Sequence, residues 1–217
     1  MSGKGAVLAL GLVWAALQAG MAQGLTLGEH LALRGYTGKA FGQVMAENLG
    51  LKSLHVLTNN TSICTALVGA MGASFLDLQG QRRLQITTFA TPDEVPPLRP
   101  GEEAVALIFG GQASPEVNYG LTKNSLRALA EANYQGAIFF HLRVWGPGFV
   151  AKAAQEDPVI ARYLQGKRNL FTATYDPQAN VVRVWRAALQ EGRQVNAEEL
   201  ARLQPNPTWE GLLKRSL

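Results

Sequence analysis

The stretch AIFFHLRVW, residues 137–145, decides how the rest of the sequence is interpreted, because apolar and polar side chains alternate along most of it. A period of two is typical of a β-strand, in which successive side chains point to opposite faces of the sheet. One face then carries Ile138, Phe140, Leu142 and Val144, and the other carries Phe139, His141, Arg143 and Trp145. Gly146-Pro147-Gly148 ends the strand. We therefore predict a central strand with one apolar face and one polar-aromatic face.

Helical patterns lie on both sides of this strand. The first covers residues 26–34, begins at a capping box of Thr26 and Glu29 and is expected to end at Gly35. Others cover residues 37–49, 121–134 and 149–165. A capping box of Asn196 and Glu199 predicts a further helix near the end of the chain, and Trp209 is expected to hold the last turn on the body. Residues 63–72 fit either a helix or a buried strand, and we favour the helix. Helices that alternate with strands in this way predict an α/β fold, in which helices pack on a mixed sheet.

Two hairpins are expected to supply the antiparallel part of that sheet. The first joins residues 73–78 to 83–89 around Gln79-Gly80-Gln81, and the second joins residues 170–175 to 181–187. Residues 91–101 carry four of the ten prolines and predict a stiff, exposed loop. Since the composition is similar on both sides of this loop, we expect residues 25–217 to form a single domain.

The first 24 residues have the parts of a secretory signal peptide. Lys4 precedes an uninterrupted apolar run of 12 residues, 6–17, and small residues then surround two possible cleavage points, before Gln23 and before Leu25. A helix of that run would measure about 18 Å, well short of the roughly 30 Å of a bilayer core. We expect residues 1–24 to direct export to the periplasm or out of the cell. The alternative is an uncleaved anchor, which would contact the membrane only through residues 6–22.

Composition and motifs exclude several classes of function. The three histidines are far apart in the sequence and the single cysteine cannot form an internal disulfide, so no metal site and no cofactor are expected. A nucleic-acid-binding envelope protein has only the pI of 9.4 and the abundance of arginine in its favour, without basic clusters that alternate with aromatic residues. Gly35 and Gly38 lie too close together for a phosphate-binding loop.

One catalytic alternative stays open at this point. If residues 63–72 form a helix, Cys64 lies in its first turn, where the helix dipole favours a thiolate. His55 and His141 are the candidate bases, since His55 lies on a strand predicted over residues 53–58 and His141 on the strand predicted over residues 137–145. Together they describe a small exported hydrolase.

The reading that we favour is a non-catalytic, exported binding protein. Its ligand-binding surface is predicted on the polar-aromatic face of Phe139, His141, Arg143 and Trp145, and the face of Arg183 and Trp185 is the next candidate. Gly110-Gly111-Gln112, at the end of a predicted strand, forms a possible nest of backbone N–H groups for an anion. The expected partner is another envelope protein or an anionic ligand.

Overall fold

Seven strands form one sheet in the computed structural model, which describes residues 24–77 and 81–216. The strands are β1 (Ser53–Asn59), β2 (Arg83–Phe89), β3 (Ala104–Ile108), β4 (Ala137–Phe140), β5 (Leu170–Asp176), β6 (Val181–Gln190) and β7 (Arg193–Leu203). Their order across the sheet is β2-β1-β3-β4-β5-β6-β7. The first five strands in this order are parallel, and β6 and β7 add an antiparallel edge. The predicted α/β fold with a mixed sheet is thereby confirmed.

Seven α-helices surround the sheet in the described part of the chain. They are α1 (Leu27–Gln43), α2 (Ser62–Asp77), α3 (Pro115–Glu131), α4 (Leu142–Trp145), α5 (Phe149–Glu156), α6 (Pro158–Leu164) and α7 (Pro207–Arg215). A π-helical turn, Val44–Asn48, continues α1, and a 3-10 turn, Pro92–Glu94, lies in the proline-rich loop. None of the helices in residues 24–77 and 81–216 combines the length and the apolar character needed to cross a bilayer.

The core consists of two apolar clusters, one on each face of the sheet. Leu57, Leu107 and Phe140 point to the face covered by α3, α5 and α6. Val56 and Phe139 point to the opposite face, where α1, α2 and α7 pack. Both faces of the central strands are therefore buried. The strand β1 is buried along its whole length, and β3 is entirely apolar rather than alternating.

The strand predicted over residues 137–145 is shorter than expected, and this part of the prediction is wrong. The strand β4 ends at Phe140, and the Nδ1 atom of His141 accepts a hydrogen bond from the backbone N–H of Arg143 at 3.2 Å. This contact caps the short helix α4. A histidine that caps a helical turn explains the change of direction, because a side chain that accepts from the backbone two residues later favours a helix start over a continued strand.

Two further predictions are corrected by the strand pairing. The first predicted hairpin is absent because residues 62–77 form the single helix α2, so that β2 pairs with β1 in parallel. The helix predicted from Asn196 is instead part of β7, which pairs with β6 across two register shifts. The second predicted hairpin, between β5 and β6, is confirmed.

The first helix is longer than the sequence suggests. Thr26 and Glu29 form the predicted capping box, but α1 continues through Gly35, which was expected to end it. A Cβ atom on Gly38 would lie 2.1 Å from the backbone oxygen of Leu67 in α2, so the two helices touch backbone to backbone. The indole N–H of Trp209 in α7 donates to the hydroxyl of Thr37 at 3.2 Å. The prediction that Trp209 holds the last helix on the body is confirmed.

The predicted leader, residues 1–24, lies outside the described residues except for Gly24.

Candidate functional site

The sheet order creates a crevice at the carboxyl end of β1. From β1 the chain passes through α2 to β2 on one side, and β3 then lies on the other side of β1. The loops that follow β1 and β3 therefore lead to helices on opposite faces of the sheet. Such a point of divergence is where open α/β sheets bind their ligands.

A cleft of about 670 Å³ occupies this position. We call it the carboxyl-edge cleft. Its walls come from the start of α1, the start of α2, the loop after β3, the start of α3 and the segment around α4. Its lining includes Leu27, His30, Arg34, Ile63, Gly110, Gly111, Pro115, Arg143, Pro147 and Phe149.

Two glycines shape the loop after β3, which forms the floor of the cleft. Gly111 has a φ of +68°, and a Cβ atom there would lie 2.7 Å from the hydroxyl of Thr61. The loop is held from below by Asn59, whose Nδ2 donates to the Gly110 carbonyl at 2.7 Å. A side chain at position 111 is therefore excluded by conformation and by space, and the backbone of the loop lies open to the cleft.

The 17-residue helix α3 begins at the edge of this loop. Its cap is Ser114, whose hydroxyl accepts from the N–H of Val117, and Pro115 lines the cleft. The first N–H groups of a helix have no partner within it and carry partial positive charge. The start of α3 therefore favours negative charge in the cleft.

Arg34 is the most unusual residue of the cleft. Its side chain is 7% exposed, yet it has no hydrogen bond and no ion pair with any residue in 24–77 or 81–216. Burial lowers the pKa of the Arg34 guanidinium, and the nearby charge of Arg143 lowers it further. A largely buried cation without a carboxylate partner is costly in a folded protein, because burial removes much of its hydration without replacing it.

Arg143 extends the positive charge to the surface of the cleft. It is exposed, and within the described part of the chain it forms no ion pair. Arg34 and Arg143 also line a second cavity of about 420 Å³, which we call the side cavity, together with Thr37, Tyr175 and Ser216. The two arginines therefore line both cavities, where a bound group can reach them.

The four residues of the predicted polar-aromatic face do not share one surface, which corrects that expectation. Phe139 is buried in the cluster beside α1 and α2, whereas Trp145 is buried in the opposite cluster, stacked on Phe140 at a ring distance of 5.5 Å. Because β4 ends at Phe140, the alternation that would have aligned the four side chains stops there. Of the four, only Arg143 lines the carboxyl-edge cleft. Ligand binding by the other three stays a prediction without a shared surface to support it.

His141 lies beneath the two arginines and is 3% exposed. Burial, and then the charges of Arg34 and Arg143, lower its pKa to about 3. The imidazole is therefore neutral near pH 7, and its Nδ1 is occupied by the Arg143 N–H. Its role in the structure is to position the backbone that carries Arg143.

The contacts of Cys64 give the hydrolase alternative no support. Cys64 lies in the first turn of α2, as predicted, but burial raises the pKa of its thiol. His55 lies near the amino end of β1, where its Nε2 is 2.9 Å from the hydroxyl of Thr87. No hydrogen bond joins Cys64 to His55 or to His141 among residues 24–77 and 81–216. Over the same residues, no group of three or more metal-ligating side chains occurs.

The basic face of the second hairpin is largely neutralised by ion pairs. Arg183 contacts Asp176 at 3.1 Å and Glu199 at 2.9 Å, and Arg186 contacts Glu198 at 2.8 Å. The same contacts leave the Arg183 and Trp185 face with little net positive charge to offer an anionic partner or a nucleic acid.

Arg34 is the functional candidate that the sequence reasoning missed. It was placed at the end of a short helix, where an arginine is usually solvated and interacts with the helix dipole. The sequence pattern that could have pointed to Arg34 is the spacing of Leu27, His30 and Arg34. They are three and four residues apart and so lie on one helix face. That face forms one wall of the cleft.

Comparison with known proteins gives a family and several structural similarities. The sequence matches the family described as "Uncharacterized protein" over residues 30–210, and the chain belongs to this family. No curated protein matches the sequence.

Among solved structures, the chain is similar to a leucine binding protein, LivK, from Thermotoga maritima, with 16% identity over 67% of this chain and a TM-score of 0.46. It is also similar to an ABC transporter solute binding protein from R. palustris in complex with benzoate, with 15% identity over 79% of this chain and a TM-score of 0.43. The chain spans 38% of the first protein and 65% of the second.

Proposed function

We propose that this member of the family binds a small anionic ligand in the carboxyl-edge cleft, without catalysing a reaction. The observation that carries the proposal is Arg34, a buried guanidinium that lines the cleft and has no partner among residues 24–77 and 81–216. Arg143, which also lines the cleft, adds a second positive charge.

An anion bound by the two arginines would offset the repulsion between their positive charges in the folded protein. Two neighbouring guanidinium groups repel each other, and after burial the charge of Arg143 contributes to the lowered pKa of Arg34. An oxyanion accepts charge-assisted hydrogen bonds from a guanidinium in a planar, often bidentate geometry. The open backbone at Gly110 and Gly111 adds N–H donors on the same side, and the dipole of α3 adds partial positive charge.

The proposal predicts stabilisation by a simple anion. Sodium acetate is expected to raise the unfolding temperature of the protein saturably, relative to sodium chloride at equal ionic strength. At ten times its Kd a ligand stabilises the folded state by about 1.4 kcal/mol, which corresponds to about 3–6 °C for a chain of this size. In Arg34→Met the acetate-dependent increase in unfolding temperature should disappear. Without acetate, this variant should be as stable as the wild type or more stable, because a buried cation has been removed. The measurement is thermal unfolding followed by circular dichroism.

Arg162→Met is the matched control for this experiment. Arg162 lies on the exposed surface of α6, away from the cleft. This variant should respond to acetate as the wild type does. A response that survives in Arg34→Met would show that the anion binds elsewhere, and the proposal would then be wrong.

We also propose that the protein acts outside the cytoplasm, in the periplasm or as a secreted protein, after its leader has been removed. The support is the charge, apolar run and small residues of positions 1–24. Protein isolated from the cell envelope or medium is expected to begin at Gln23 or Leu25. Intact-mass measurement decides this, and an unprocessed chain in the cytosol would contradict export.

A further inference from the structure

We infer that the ligand is an organic anion with an apolar body and no positively charged group, and that an amino acid is a poor ligand by comparison. This inference rests on the proposed function, since it concerns the same cleft. The inference concerns the part of the ligand that is attached to the anionic group. The two arginines alone do not define that part.

The first observation is the absence of negative charge from the cleft. Within the described part of the chain, no Asp or Glu lines it. Glu116 is the acidic residue next to the lining residue Pro115, but its carboxylate accepts hydrogen bonds from its own N–H and from Ser114, and these lower its pKa. This carboxylate is thus already hydrogen-bonded at the start of α3.

An ammonium group would therefore find no counter-charge in the cleft. It would lie near Arg34 and Arg143 and near the positive end of α3, and each of these repels a cation. Burying a charge without a partner is strongly unfavourable. In a zwitterionic ligand, the favourable interaction of the carboxylate with the arginines would be offset by repulsion of the ammonium group. The cleft therefore binds it less tightly than the same anion without the ammonium group.

The second observation is the apolar part of the lining. Leu27, Ile63 and Phe149 line the cleft together with Pro115 and Pro147. Leu27 is 56% exposed, one of the few large apolar side chains on the described surface with such exposure. Phe149 is held by the ring of Tyr119 at 5.7 Å.

These side chains form an apolar surface beside the arginines. A ligand with an aromatic or branched aliphatic body would remove that surface from water, at about 25 cal/mol per Å² of apolar area. The volume of about 670 Å³ exceeds what a bare oxyanion occupies and is in the range of pockets for small organic ligands.

The test compares three probes that differ by one group at a time, namely sodium acetate, sodium 3-phenylpropionate and L-phenylalanine. Isothermal titration calorimetry near pH 7 gives the Kd of each. We expect 3-phenylpropionate to bind about tenfold or more tightly than acetate, and about tenfold or more tightly than L-phenylalanine. The first ratio reports on the apolar wall, and the second reports on the ammonium group alone.

Variants separate this inference from the proposed function. Phe149→Ala should weaken the binding of 3-phenylpropionate and leave the Kd of acetate unchanged, whereas Arg34→Met should abolish the binding of both. Phe171→Ala, on β5 and outside the lining of the cleft, is the control for loss of a phenyl ring, and circular dichroism confirms that each variant is folded.

Each outcome has a definite meaning. The inference is wrong if either L-phenylalanine or acetate binds as tightly as 3-phenylpropionate. If Arg34→Met still abolishes binding in that case, the proposed function stands. If no probe binds, or if binding is unaffected in Arg34→Met, the proposed function fails and the inference fails with it.

Discussion

Replacing Phe140 with alanine is expected to lower the free energy of unfolding by about 3–5 kcal/mol, the usual cost of removing a fully buried phenyl ring. Phe140 is completely buried in the cluster on the α3 side of the sheet, where its ring stacks on Trp145. Both neighbours of β4 are strands, so the backbone around the lost ring has little freedom to collapse into the cavity. Urea denaturation followed by fluorescence and circular dichroism gives the free energy.

Leu142→Ala is the informative control for this experiment. An alternating strand over residues 137–145 would place Leu142 beside Phe140 and make the two substitutions comparable. In the structure Leu142 is half-buried in α4, at the rim of the side cavity, so its substitution should cost about 1 kcal/mol. Equal costs for the two variants would contradict the end of β4 at Phe140.

Replacing Gly38 with alanine is expected to destabilise the protein by about 2 kcal/mol or more. The added methyl group would meet the backbone of α2 at 2.1 Å from the Leu67 oxygen, and a backbone atom cannot rotate away as a side chain can. The helices α1 and α2 would have to separate along their length. Gly42, one turn further, is under the same constraint, since a Cβ atom there would lie 2.3 Å from the Met71 oxygen.

Gly35→Ala provides a control in the same helix. Among residues 24–77 and 81–216, and apart from its chain neighbours and its own helix backbone, no atom lies within 4 Å of the position of its Cβ, so the substitution should only gain helix propensity. That gain is about 1 kcal/mol for glycine to alanine within a helix. The two variants should therefore change stability in opposite directions in urea denaturation. A Gly38→Ala protein as stable as Gly35→Ala would show that α1 and α2 are not in backbone contact.

This close contact also matters for the proposed site. Arg34 and Gly38 lie one turn apart on α1, and Ile63 at the start of α2 forms another wall of the cleft. The glycines therefore bring Arg34 close to the carboxyl ends of β1 and β3. A bulkier residue at position 38 is expected to widen the cleft as well as to weaken the packing.

Local chemistry was sufficient to predict the fold class and several of its details. Alternation of apolar helices and strands predicted the α/β sheet, because each pattern has its own period and each apolar face must be covered. The capping box of Thr26 and Glu29 and the β5–β6 hairpin were predicted because each depends on residues a few positions apart. The glycines at 110 and 111 were recognised at the end of a strand for the same reason.

Local patterns failed where distant contacts decided the outcome. Residues 73–77 alternate like a strand but continue α2, because the apolar residues of that helix pack on α1 and the sheet. Asn196 and Glu199 resemble a helix start, but the free edge of β6 offers hydrogen bonds to this segment along its whole length. The four residues predicted as one binding face were distributed to three different environments by the capping of α4 at His141.

The sequence by itself determined which groups were available for a site, namely few histidines, one cysteine, many arginines and a glycine pair after a strand. Only the tertiary structure decided which of them meet. Arg34 and Arg143 are more than 100 positions apart, and they come together because α1 packs beside the sheet and β4 ends at the same edge as β1 and β3. Whether a charged side chain is solvated or buried depends on its neighbours in space. The spacing of Leu27, His30 and Arg34 places them on one face of α1, but the sequence does not show that Arg34 is buried there.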